Sequence, residues 1–305
     1  MVRFSVRLPT DRVHCGQEFT SARGIAEIAA AAERAGFDAC FVTDHPFPVQ
    51  RWLDGGGHHA LDPFVALSFA AAATTRIRLQ THILVLPYRN PFLAAKSALS
   101  LDVLSAGRLI LGVAAGYLRG EFEALGADFE NRNAVADEAI RAMKRAWTED
   151  DVQFEGGSFR ARGNTMRPRP AQRPHPPVWV GGNSRQAIRR AVELGEGWVP
   201  FPNPRAMAAY TRTAAIESRA ELAARIELAR SHARAIGRTA PLDICFSLGE
   251  GEDDSQVPSA DRLAAEVREL AGLGVTWLAV GFAGETRAAY LDAIARFGER
   301  LAALR

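Results

Sequence analysis

Cysteine is scarce in this chain. Three residues, Cys15, Cys40 and Cys245, stand scattered along 305 positions, with neither the even count of a disulfide scaffold nor a CxxC pair. No apolar run reaches the ~18 residues of a membrane span. An excess of one charge is also missing. The 37 basic and 35 acidic residues leave a net charge of +2, which gives nucleic acid or an acidic membrane nothing to hold. The opening MVRFSVRLPTD turns polar too soon for a signal peptide, so a reducing cytoplasm is the expected setting. The seven histidines show no HxxxH or HxxEH spacing, and no metal site is expected. No GxSxG supports hydrolase chemistry. The first strand candidate runs into LPTDRVHCG without the GxGxxG turn of a doubly wound dinucleotide fold.

What the chain does have is apolar residues, 48% of the total, and a regular alternation of elements. The stretch Ile77–Gly116 shows the pattern. Ile77–Ile83 is short, β-rich and apolar on both faces, as a covered parallel strand must be. Pro87 and Asn90-Pro91 break the chain, and Pro91 suits the first turn of a helix. Phe92, Leu93, Leu99, Leu101, Val103 and Leu104 follow on a helical period. Gly107 stops the helix, and Leu109–Val113 forms the next strand. Parallel strands need such a crossover. The loop Thr81–Tyr88 then falls at a strand's carboxyl end, where α/β folds carry their chemistry.

Eight strands are predicted: Arg3–Leu8, Asp38–Thr43, Arg78–Ile83, Leu109–Val113, Val178–Val180, Gly197–Pro200, Leu242–Ser247 and Thr276–Gly281. Helices are expected over Gly24–Ala35, Pro63–Thr74, Pro91–Leu104, Ala134–Trp147, Ser184–Leu194, Pro204–Ile236, Ala260–Leu273 and Arg287–Ala303. Eight such units in this length imply a closed TIM (β/α)8 barrel, one domain over residues 1–305. Two insertions interrupt it. Tyr117–Asn133 follows strand four. Asp151–Pro177 follows helix four and holds a hairpin candidate, VQFEGGSFRA, then MRPRPAQRPHPP, whose prolines forbid a regular helix. Insertions of this length in a compact domain serve as lids or partner contacts.

Four strand ends carry candidate site residues. Asp44 and His45 end strand two at the barrel mouth, where an imidazole can pass a proton near neutral pH; a capping Asp beside a surface His is the plainer alternative. Thr81, His82 and Ile83 end strand three. Gly112–Tyr117, with Ala115 and Gly116, ends strand four, and its small residues let backbone approach a flat ring. Gly181, Gly182, Asn183 and Ser184 lie between strand five and a helix, where open N–H groups and the positive helix end suit a phosphate; Arg185 could add a charge. In the Gly-rich loop ahead of the second helix, His59 is a candidate substrate contact and Trp52 a candidate pocket wall. A solvated loop is the alternative there.

THILVLPYRNP (81–91) followed by LSAGRLILGVAAG (104–116), with GFDACFVTDH (36–45), GGGHHALDPFVALSFAAAAT (55–74) and PPVWVGGNSRQAIRRAVELGEGWVP (176–200), resembles the luciferase-like monooxygenase superfamily. The likeness is closest to the branch that uses the deazaflavin coenzyme F420. The resemblance implies that Asp44 and His45 lie beside the ring, with His45 exchanging the proton and Asp44 bonding the ring or orienting His45. It implies a cis peptide at His82–Ile83 behind the ring, and a phosphate at Gly181–Ser184. Relatives often carry a small residue where His82 stands. Some sugar-phosphate dehydrogenases carry an acid where Tyr117 falls, and Glu121 and Glu123 do not match that position, so that chemistry is not expected and Tyr117 becomes a substrate candidate. The function implied is hydride transfer between C5 of F420 and a small organic substrate, in a homodimer. FMN with dioxygen and a separate flavin reductase is the alternative cofactor reading, and a non-catalytic partner subunit the alternative class.

Overall fold

Strands whose two faces are both apolar need cover on both sides, and closure into a ring of helices supplies it. The computed structural model describes residues 2–248 and 258–304. Its strands are β1 (Arg3–Arg7), β2 (Ala39–Val42), β3 (Arg78–Val85), β4 (Leu109–Ala114), β5 (Val152–Glu155), β6 (Arg160–Asn164), β7 (Val178–Gly181), β8 (Gly197–Val199), β9 (Asp243–Ser247) and β10 (Trp277–Val280). The helices are α1 (Ala22–Arg34), α2 (Gln50–Asp54), α3 (Pro63–Ala72), α4 (Pro91–Leu104), α5 (Arg119–Ala124), α6 (Arg132–Thr148), α7 (Arg185–Leu194), α8 (Arg205–Thr211), α9 (Arg219–Ala235), α10 (Ala260–Leu273) and α11 (Arg287–Leu304). Eight parallel strands close in the order β1-β10-β9-β8-β7-β4-β3-β2, while β5 and β6 pair separately. This is a TIM barrel, and its staves are the eight strands expected from the sequence.

Strand alternation sorts the side chains. Cys40, Val42, Val178 and Val180 face the helices within the main core. Phe41, Ile110, Trp179 and Trp277 fill the lumen, with the two tryptophan rings edge to face at 5.2 Å. The lumen is therefore a packed core and not a pore. Helix starts follow their caps. Asp62 accepts from the N–H groups of Phe64 and Val65 ahead of Pro63, and Asn90 accepts from Phe92 and Leu93 ahead of Pro91.

Three expectations need correction. First, β3 runs on to Val85. Its register against β4 shifts between Thr81 and Leu84, and pairing then resumes as Leu84–Val113 and Val85–Ala114. Residues 81–83 are thus a bulge inside a strand, and the connecting turn is Leu86–Tyr88. The peptide between His82 and Ile83 is cis, as the resemblance implied. Second, the helix expected over Pro204–Ile236 is two helices. Arg212 adopts the left-handed conformation that ends α8, Asn203 bridges Ile216, and Ser218 caps the start of α9. Third, the insertion after β4 is not a bare loop: it folds α5 before α6 begins. The insertion after α6 does contain the expected hairpin, β5 against β6.

Candidate functional site

The carboxyl ends of β2, β3, β4, β7 and β8 surround one cavity of about 520 Å³. It is of the size that small ligands and cofactors occupy. Asp44, His45, His82, Ile83, Ala115, Gly116, Tyr117, Gly181, Gly182 and Ser184 all line it. Residues from four separate strand ends therefore meet at one site. Thr81, Asn183, Trp52 and His59 do not line it.

His45 stands in the cavity lining. Its Nδ1 pairs with Glu121 Oε2 at 3.2 Å. Glu121 is fully buried and stands on α5. Its other contacts come from donors: Phe47 N–H at 3.2 Å and the Tyr88 hydroxyl at 2.8 Å. Burial, then the neighbouring Glu121, push the Tyr88 phenol well above its usual range, so that it remains a donor. A carboxylate offers only acceptors. The proton of a neutral His45 therefore sits on Nδ1, and Nε2 remains to accept. Trp52 is buried behind this imidazole, with ring centroids 4.4 Å apart. It supports the catalytic candidate and does not wall the substrate space. His58, not the exposed His59, reaches the cavity. Its Nδ1 is 2.9 Å from the His59 carbonyl.

Arg89 grips both carboxylate oxygens of Asp44, at 2.7 and 2.8 Å, and Val85 N–H donates at 2.9 Å. A bidentate Arg–carboxylate pair of this kind fixes geometry. Asp44 ties the end of β2 to the end of β3, and no hydrogen bond joins it to His45 among the described residues. Thr81 is likewise internal, its hydroxyl donating to Gly112 O at 2.7 Å.

Backbone packs close across the floor. A Cβ at Gly181 would lie 2.2 Å from Ile83 Cδ1, and one at Gly112 would lie 2.1 Å from Thr81 O. With Ala114, Ala115 and Gly116, these positions leave the cavity broad beside the bulge. Thr43 lines this space, and its hydroxyl oxygen is buried without a hydrogen-bond partner among the described residues.

The lining also carries cations: Arg132, Arg190 and Arg212 stand in it, with Ser184 and Gln186 at the start of α7. Ser184 Oγ caps the Ala187 N–H at 3.1 Å, and the first-turn N–H groups of Arg185 and Gln186 have no intrahelical acceptor. Asn183 does not contribute an open N–H. Its amide nitrogen bonds Thr213 Oγ1 at 2.9 Å, and its side chain ties Phe201 and Ala214. The reason is burial, which leaves this side chain only protein partners. Arg185 points to solvent and is not in the lining. Arg190 is neutralised by Asp137. Arg132 and Arg212 lie 4.1 and 4.8 Å from the Phe129 ring centroid. Neither makes a salt bridge among the described residues, although the Glu130 carboxylate, paired with Arg119, lies near enough to feel both. Arg132 bonds the carbonyls of Gly116 and Phe129, and Arg212 makes no hydrogen bond there. Sequence reasoning does not single out Arg132 and Arg212; it places His58 in the loop near the mouth but favours His59, and it sets Glu121 aside for its position.

A family model described as luciferase-like monooxygenase matches residues 2–249. The FMNH2-dependent dimethylsulfone monooxygenase of Pseudomonas putida is 34% identical over 174 residues, 56% of this chain and 46% of that protein. The F420-dependent glucose-6-phosphate dehydrogenase of Intrasporangium calvum is 35% identical over 187 residues, 58% of this chain and 53% of that one. The chain thus spans about half the length of these curated relatives. Among solved structures, a monooxygenase from Streptomyces bottropensis superposes with a TM-score of 0.76 at 23% identity, covering 99% of both chains. At that identity the likeness is one of fold.

Proposed function

The chain belongs to the luciferase-like monooxygenase family, and from that premise we propose that it is an F420-dependent oxidoreductase acting on a small organic substrate. One observation carries the proposal: a single cavity is lined by a carboxylate-held imidazole, by the guanidinium groups of Arg132 and Arg212, and by a helix start. A flat redox ring with an anionic tail suits that lining. The residues present fit such a group. Thr43 offers a buried hydroxyl without a partner, the cavity has the volume, and Arg132, Arg212 and the first turn of α7 suit an anion.

When bound, F420 supplies hydride transfer at C5, chemistry that side chains cannot perform. The chain supplies position and a proton path. Gly181, Gly182 and Ile83 would hold the ring, and Ser184, Arg132 and Arg212 its tail. His45 Nε2 takes the hydroxyl proton of a substrate being oxidised, or returns it to one being reduced. Glu121 holds Nδ1–H throughout and stabilises the imidazolium once the proton arrives. Ala115, Gly116 and Tyr117 border the substrate space. Burial, and next to it Tyr210, push the Tyr117 phenol up to about 12, so it serves as a neutral hydrogen-bonding wall.

The F420-dependent relative supports the deazaflavin. A second reading is supported by the FMNH2-dependent relative at nearly the same identity: reduced FMN, dioxygen and a separate flavin reductase in the same cavity. Equilibrium titration of the purified protein with F420 and with FMN separates the two. Binding of F420 with transfer to a screened alcohol or carbonyl is expected. Tight FMN binding without F420 affinity overturns the deazaflavin proposal. The homodimer and the cytoplasmic setting belong to this proposal as well; sedimentation velocity tests the first.

A further inference from the structure

His82 lines the same cavity as His45, yet a different network fixes it. Strand alternation turns Ser5 on β1 and Gln80 and His82 on β3 into the lumen. Ser5 Oγ donates to Gln80 Oε1 at 2.8 Å. The amide's nitrogen end therefore faces the imidazole, and Gln80 Nε2 lies 3.1 Å from His82 Nδ1. The buried Cys245 thiol on β9 lies beside the same glutamine; burial opposes its charged form, and the glutamine favours it. An NH2 group only donates. Nδ1 must accept, and the ring's one proton is left on Nε2. Protonating the ring would set Nδ1–H against Gln80 N–H, donor against donor. The Phe41 ring packs 4.6 Å away and holds the imidazole plane. Among the described residues nothing bonds Nε2.

We propose that His82 is a binding residue with a fixed polarity, a neutral imidazole whose Nε2–H donates to a carbonyl oxygen or other lone-pair acceptor of the ligand in this cavity. His45 carries the opposite tautomer, Nδ1–H to Glu121 with Nε2 as acceptor. The cavity thus presents one imidazole that gives a hydrogen bond and one that takes a proton. A ligand set with a carbonyl-bearing flat ring and a hydroxyl-bearing substrate satisfies both. The identity of that ring rests on the function proposed above; the tautomer does not.

The charged and titratable surroundings agree. Arg7 on β1, paired with Asp11 at 2.7 Å, faces His82, and burial first and Arg7 second lower the imidazole to about 4. Cys245, beyond Gln80, is pushed by burial up to about 12 and stays a thiol. Across the cavity Asp44 is neutralised by Arg89, and burial, with His45 nearby, lowers His58. No free carboxylate faces His82 among these groups.

The test is nitrogen-15 NMR of the full chain with labelled histidine, the His82 signals assigned by their loss in His82→Gln. The expected result is a protonated Nε2, an acceptor-type Nδ1 and no titration between about pH 8 and about pH 5. A proton on Nδ1, or a midpoint above about 6, overturns the proposal. Gln80→Glu puts an acceptor against Nδ1 and is expected to move the proton there and raise the midpoint by about one unit or more; an unchanged tautomer overturns the role of Gln80. The donor role is read by titrating F420 and FMN as separate probes. His82→Leu is expected to bind the probe that the wild type binds about tenfold more weakly, and His82→Gln within about threefold. Equal binding by His82→Leu overturns the donor role. A wild type that binds neither probe overturns the cofactor reading, and with it the donor role, and leaves the tautomer to be decided by the spectrum.

Discussion

The two rims of the barrel use the same residue types to opposite ends. At the amino rim, Arg108 donates to Thr74 Oγ1 and to the carbonyls of Ala71, Thr74, Ile77 and Ser105. Glu33 accepts the N–H groups of Thr75, Arg76 and Ile77, and Arg238 donates to the carbonyls of Val192 and Gly195. Each charge closes chain ends that would otherwise be left unsatisfied. At the carboxyl rim, Arg212, the Thr43 hydroxyl and one nitrogen each of His45 and His82 make no hydrogen bond among the described residues. Charge and burial do not separate the rims, because both contain half-buried ionic groups. Open hydrogen-bonding capacity does. Where a protein completes its polar groups it builds stability, and where it leaves them incomplete a ligand can bind.

Substitutions on the two rims should therefore fail in different assays. The largest effect is expected at His45. His45→Gln should lower turnover by about 10²–10⁴-fold, with the thermal midpoint nearly unchanged, as measured with the substrate found by screening. A large loss of stability in that variant would break the contrast. Next comes the amino rim. Arg108→Ala strands several carbonyls and should cost about 2–4 kcal/mol in urea unfolding, while turnover per folded molecule stays the same. Arg132→Ala and Arg212→Ala should each weaken binding of the anion-tailed cofactor by about five- to twentyfold. Their effect should shrink as salt rises, and the thermal midpoint should stay flat in Arg212→Ala, which makes no hydrogen bond among the described residues.

The smallest effect is in pH. His82 is held at about 4 in the fold, against about 6.5 unfolded. Between those values the unfolded chain binds more protons. The stability is therefore fully present above about pH 6.5 and is lost as pH falls towards about 4. Calorimetry should show a steeper decline over that window for the wild type than for His82→Gln. Parallel declines would remove His82 from the account.

The barrel was legible because its signal is local. Each stave is a short apolar run with turn residues at its ends, and α4 and α10 fall within their expected bounds. The break between α8 and α9 was not legible, because its cause is not in the segment. Asn183 holds Ala214 from across the loop, and helical periodicity cannot register a tether from another element. Glu121 was hidden for the same reason. It lies on a six-residue helix, and its partner His45 is 76 positions away. Asp44, by contrast, was placed at the cavity by its strand, but its tie to Arg89 was not legible, because that arginine comes from the next βα unit.

The sequence by itself determined the number, order and polarity of the barrel strands, and so which strand ends open at the mouth, since strand and helix periods are properties of neighbours along the chain. Only the tertiary structure decided which polar atoms at that mouth are satisfied. Closure brings Ser5 to Gln80, Glu121 to His45 and Arg89 to Asp44, and a hydrogen bond depends on tenths of an ångström between groups that the sequence keeps far apart.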